Sequence, residues 1–119
     1  MTKSELQELT ESYISVYREV LLIDPLIQLN VRVVDDGKYF RSIKDSDAKL
    51  SWTIEINSVT NLSDEDVRLS VIQFLSAILC SDFASFNDEA LALAIEKLEC
   101  RLFNVFQNLL PNLGDASEG

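Results

Sequence analysis

The sequence contains no histidine. Imidazole is the most frequent general base of enzymes and a very common metal ligand. The chain therefore lacks the side chain on which many hydrolytic and metal-dependent enzymes rely. The sequence also lacks a Cys-x-x-Cys pair, a glycine-rich phosphate loop, a Gly-x-Ser-x-Gly nucleophile motif and an EF-hand loop. We therefore expect a protein that is not an enzyme and that uses no cofactor or metal.

Glycine, proline and cysteine are scarce, with three, two and two residues among 119. So few glycines and prolines argue against a disordered or linker-rich chain, and the length suits one domain of roughly 100–150 residues. Cys80 and Cys100 both lie in apolar stretches, where free cysteine behaves as a small hydrophobic residue. No disulfide is expected between them.

Long hydrophobic runs are missing as well. The most apolar stretch, residues 71–80, includes Gln73 and Ser76 and is far shorter than the roughly 20 residues of a membrane-spanning helix. The first residues show no apolar segment typical of a secretory signal. These features predict a cytoplasmic protein.

Basic residues are outnumbered by acidic ones. The sequence has ten lysines and arginines but twenty aspartates and glutamates, which gives a net charge of −10. Lysine and arginine supply most of the affinity for phosphate backbones and anionic lipids, so direct binding to nucleic acid or to a membrane surface is not expected. An acidic surface suits a basic protein partner, because long-range attraction accelerates their encounter.

Apolar residues recur every three or four positions over residues 6–23, which predicts a first helix that Ser4 caps and Pro25 ends. Tyr13 and Tyr17 are expected at the edge of its apolar stripe, with their hydroxyls in water. Apolar and polar residues then alternate in two segments typical of strands, 27–33 and 50–56. Residues 39–43 between them are interpreted as a returning strand, although its first two residues are both apolar and do not alternate.

Two more helices are predicted, one beginning at Ser63 and one near Asn87, and Pro111 ends the last of them. The second is apolar over most of its circumference, which is typical of a helix buried on several sides. The order α-β-β-β-α-α predicts a two-layer α+β domain over residues 1–113, with 114–119 as a flexible C-terminal tail.

The short connections between the three strands predict an antiparallel meander whose apolar face the helices cover. Residues 35–38 are interpreted as a hairpin turn, in which Gly37 can take a positive φ. Arg32 and Arg41 then lie on the two arms of this hairpin. They are expected to pair with nearby acids such as Glu55.

The last helix carries two apolar stripes. The first alternates spacings of four and three through Leu91, Ile95, Leu98, Leu102, Val105 and Leu109. The second, formed by Phe103, Phe106 and Leu110, exceeds what one sheet contact requires. We predict that it packs against a neighbouring helix of the same chain or forms a homodimer interface with a second copy.

Acidic residues concentrate in the region after the first strand and at the start of the second helix. Turn chemistry and the helix dipole explain most of them without any function. They nevertheless can accept strong charge-assisted hydrogen bonds from the lysines and arginines of a partner. The candidate partner-binding residues are Asp35, Asp36, Asp45, Asp47, Asp64, Glu65 and Asp66.

The favoured hypothesis is a small acidic protein-binding module, an inhibitor or immunity-type protein that neutralises a basic enzyme such as a toxin or a nuclease. A dimeric chaperone or adaptor that uses the apolar C-terminal helix is the first alternative. A domain that binds a small ligand between sheet and helices is the second.

Overall fold

A computed structural model describes residues 2–35, 40–44, 51–58, 62–80 and 89–110. Within these ranges the chain forms three helices and three strands: α1 (Lys3–Val20), β1 (Gln28–Val34), β2 (Phe40–Lys44), β3 (Ser51–Asn57), α2 (Asp64–Cys80) and α3 (Glu89–Leu109). This confirms the predicted α+β class and the predicted order of elements. The proposed tail at 114–119 lies outside the described residues.

Helix α1 begins slightly earlier than the sequence suggested. Thr2, not Ser4, is the N-cap: its hydroxyl accepts from the Glu5 N–H, and the Glu5 carboxylate accepts from the Thr2 N–H. This reciprocal capping box satisfies two backbone donors that a free helix end leaves without partners.

The helix also ends before Pro25 acts on it, at Val20. Leu22 has a φ of 55°, in the left-handed region, and the Ile23 N–H donates to the Arg18 carbonyl over 3.0 Å. This bond is typical of a Schellman motif, in which a left-handed residue turns the chain out of the helix. Leucine replaces the usual glycine here.

The sheet has the strand order β1-β3-β2, with β1 parallel and β2 antiparallel to β3. The predicted antiparallel meander, and with it the hairpin between β1 and β2, is therefore wrong. The strand at the centre is β3, where Trp52, Ile54 and Ile56 are buried, whereas β1 is only half-buried. The central position in a sheet removes the most apolar area from water. It is occupied by β3, the strand whose apolar face is the most deeply buried.

The helices pack on the face of the sheet that carries Trp52, Ile54 and Ile56. Helix α2 contacts both α1 and α3 and is buried nearly all round, as its sequence predicted. Tyr13 and Tyr17 of α1 are fully buried, with ring centroids 5.4 Å apart, so their predicted position at the wet edge of the stripe is wrong. They face α2 rather than water, because α2 covers a wider part of the α1 surface than the apolar stripe of α1 predicted.

Candidate functional site

The three acidic residues at the start of α2 all have partners within the chain. Asp64 accepts a hydrogen bond from the Tyr13 hydroxyl, and Glu65 forms an ion pair with Arg68 at 2.8 Å. The Asp66 carboxylate accepts from the backbone N–H of Ser63, while the Ser63 hydroxyl accepts from the N–H of Asp66. Each carboxylate of this group thus contributes to the internal structure of the protein.

Asp35, directly after β1, is also engaged. Its carboxylate forms an ion pair with Lys3 at 2.5 Å and accepts a hydrogen bond from the Ser58 hydroxyl. The Lys3 hydrogen bond, followed by that from Ser58, holds the pKa of Asp35 below its ordinary value. The other candidates, Asp36, Asp45 and Asp47, lie outside the described ranges.

Asp35 and the acids of α2 do not contact the same part of α1. Lys3, which binds Asp35, and Tyr13, which binds Asp64, are ten positions apart on that helix. At 1.5 Å per residue they are separated by about 15 Å along the helix axis. The structure therefore does not bring the two predicted acidic groups together at one point.

A third set of carboxylates, which the sequence analysis did not single out, lies on the outer side of α1. Glu8, Glu11 and Glu19 are exposed, and helical spacing places them on one side of the helix. None of the three forms an ion pair within the part of the chain that the structure describes. Their positions opposite the apolar stripe were the signal that could have identified this surface, which we call the α1 acidic face.

A groove of about 480 Å³ adjoins the α1 acidic face. It is open to solvent and lies between α1 and β1, an edge strand of the sheet. The Gln7 amide donates to the Val31 carbonyl over 3.1 Å, and the Arg18 guanidinium donates to the Ile27 carbonyl over 2.8 Å. Glu11 belongs to both the groove and the acidic face, so a side chain entering the groove meets a carboxylate.

The predicted dimer residues of α3 are turned towards the protein's own core. Leu110 is buried, and Phe103 and Phe106 are half-buried and packed against the hydrophobic core. Among the described residues of α3, the larger exposed apolar side chains belong mainly to the other stripe: Leu93, Leu98, Val105 and Leu109. The sequence showed both stripes but not which of them the domain would cover.

The described residues contain no cluster of three or more carboxylate, cysteine or histidine side chains that would hold a metal ion. Both cysteines are free: Cys80 is buried and Cys100 is exposed. Burial, and secondarily the charge of Glu99, raises the pKa of the Cys80 thiol, which keeps it in the unreactive thiol form.

None of the helices in the described ranges combines the length and the apolar character that crossing a bilayer requires. No family model, no curated protein and no solved structure matches this chain.

Proposed function

We propose that this protein is a protein-binding module that neutralises a basic partner, as an inhibitor or immunity-type protein acting on a basic enzyme such as a toxin or a nuclease. The observation that carries the proposal is the net charge of −10 on a folded domain. Part of that charge stands on the α1 acidic face, where Glu8, Glu11 and Glu19 form no ion pair within the described ranges.

The chemistry of this face suits lysine and arginine side chains. An exposed carboxylate accepts charge-assisted hydrogen bonds that are about twice as strong as neutral ones. The groove beside Glu11 offers a concave surface for the aliphatic part of a long basic side chain. An enzyme that acts on an anionic substrate is attracted by the same charges, and a protein bound there occludes its substrate site.

The acids at the start of α2 and Asp35 contribute less to such a contact in this proposal. Their carboxylates already receive hydrogen bonds from Tyr13, Arg68, Ser63 and Lys3. A partner has to compete with these bonds, whereas Glu8 and Glu19 offer their oxygens without such competition from described residues. Asp36, Asp45 and Asp47 stay predicted additional contacts.

The experiment compares three immobilised proteins in a lysate of the source organism: the wild type, the double variant E8Q/E11Q and the control double variant E89Q/E96Q. The control removes the same amount of charge from exposed positions on α3. We expect the wild type and the control to capture the same basic protein, identified by mass spectrometry.

The purified partner should then bind E8Q/E11Q about two- to thirtyfold more weakly than the control, since each exposed ion pair contributes about 0.2–1 kcal/mol. Equal affinity of the two double variants would remove the α1 acidic face from the proposal. A partner that is itself acidic would contradict the proposed function.

A further inference from the structure

The first apolar stripe of α3, which we call the α3 seam, has the spacing of a coiled coil. Its six residues alternate steps of four and three: Leu91, Ile95, Leu98, Leu102, Val105 and Leu109. A repeat of 3.5 residues keeps one narrow face turned towards a second helix over the whole length. A helix that only covers its own domain needs no such regular seam, because a broad apolar face at the 3.6 period suffices.

Helix α3 packs against its own domain through the second apolar stripe. Phe103, Phe106 and Leu110 pack against the core. Three seam residues face outward: Leu98, Val105 and Leu109 are 39%, 49% and 72% exposed. Ile95 and Leu102 of the same seam are half-buried. Large apolar side chains in a row on one helix are typical of an interaction surface rather than of scattered surface residues.

The small net charge of α3 indicates which partner suits the exposed part of the α3 seam. The helix has three acidic residues (Glu89, Glu96, Glu99) and two basic ones (Lys97, Arg101), so its net charge is −1 in a chain whose net charge is −10. A basic partner gains little attraction here. Two copies of the chain repel each other least when they meet at the helix that is nearly neutral.

We infer that a second copy of this chain covers the α3 seam, which makes the protein a homodimer held by paired α3 helices. In such a symmetric pair the same surface serves both copies, so each seam supplies the apolar residues that the other needs. Leu98, Val105 and Leu109 become buried in the contact. The inference does not depend on the proposed function, because the α1 acidic face belongs to another helix.

The test measures the mass of the full chain by sedimentation equilibrium through the micromolar range. The buffer contains a reductant, so that the exposed Cys100 does not cross-link copies. Three proteins are compared: the wild type, the seam variant V105E/L109E and the control variant L93E/N104E. Leu93 and Asn104 are exposed on α3 away from the seam, so the control adds the same two charges to the same helix.

We expect the wild type and the control at twice the chain mass and the seam variant at the monomer mass, with equal helical circular dichroism in all three. The variant removes two apolar side chains from each copy's contact surface and adds two negative charges there, so the dimer dissociation constant should rise about a hundredfold or more in V105E/L109E. A wild type that stays monomeric overturns the inference. Equal dimer affinity of the seam variant and the control does so too.

Discussion

Glu55 shows how one residue depends on its neighbours in the sheet. It lies on the central strand, and the register places Arg32 of β1 and Arg41 of β2 directly opposite it on either side. Arg32 donates to one carboxylate oxygen over 2.8 Å, and the Nε of Arg41 donates to the other over 2.9 Å. The predicted pairing with Glu55 is confirmed, but it arises because β3 separates the two arginines, which a hairpin would have placed side by side.

These two arginines make Glu55 sensitive to acid. The hydrogen bond from Arg41, and then that from Arg32, holds the pKa of Glu55 below its ordinary value, although desolvation opposes them. A carboxyl whose pKa is lower in the folded than in the unfolded protein stabilises the fold above the unfolded pKa, about 4.3 for glutamate. This stabilisation is lost as the pH falls through the lower, folded value.

We therefore expect the free energy of unfolding of the wild type to fall more steeply in acid than that of E55Q, which has no such carboxyl. Urea unfolding followed by circular dichroism from neutral pH to about pH 3 measures both slopes. The control is E8Q, because Glu8 is exposed and has no ion pair among the described residues. Equal slopes for E55Q and the wild type would contradict the stabilising role of the two arginines.

At the scale of elements, Arg68 connects α2 to the end of α3. The last four carbonyls of a helix have no partner within it, and α3 has no basic residue in its last turn. The buried Arg68 guanidinium donates to the carbonyls of Gln107 and Leu110 and so supplies the missing cap from a neighbouring helix. The same side chain hydrogen-bonds to Tyr17 of α1, so three helices meet at one cation.

Replacing Arg68 with alanine should destabilise this junction by about 2–6 kcal/mol, since one buried and one partly buried carbonyl lose their donor at about 1–3 kcal/mol each. Urea unfolding measures the change. The control is R101A, an exposed arginine of the same α3 helix, which should change stability by less than about 0.5 kcal/mol. If R68A and R101A unfold at the same urea concentration, Arg68 does not hold the end of α3.

At the scale of the whole molecule, two described surfaces differ in character. The α1 acidic face carries Glu8, Glu11 and Glu19 on one exposed side, while α3 is nearly neutral and exposes apolar residues. A net charge of −10 opposes contact between two copies wherever acidic residues meet. The difference between these two surfaces allows attraction of a basic partner on one and self-association on the other.

Salt should therefore act in opposite directions on the two proposed contacts. Exposed charges are screened over about 10 Å at 0.1 M salt, so association with the basic partner should slow as salt is added. The dimer should become tighter or stay unchanged, because salt screens the repulsion between the acidic copies and leaves apolar burial intact. Stopped-flow association and sedimentation over the same salt series test both trends, and parallel weakening of the two contacts would contradict the division of roles.

Local features of the sequence predicted much of the fold because they depend on near neighbours. The spacing of apolar residues identified the three helices and two of the three strands in the described ranges, and the apolar circumference of α2 predicted its deep burial. The start of α1 was displaced only because Thr2 and Ser4 are both good caps. The acids of α2 were similarly explained in advance as residues of a helix start.

Which surfaces meet was decided by the tertiary structure. Alternation in a strand records which face is apolar but not which strand lies beside it, so the order β1-β3-β2 was missed. The two stripes of α3 were visible in the sequence, yet only packing showed that Phe103, Phe106 and Leu110 face the core while Leu98, Val105 and Leu109 face water.

The sequence by itself thus determined the elements, their order and the acidic character of the protein, because these follow from residue type and spacing. The tertiary structure decided the sheet order, the burial of Tyr13 and Tyr17, the capping role of Arg68 and the exposed faces of α1 and α3. The physical reason is that burial is a competition among all the apolar surfaces of the chain. Its outcome depends on residues far apart in sequence that only the folded protein brings together.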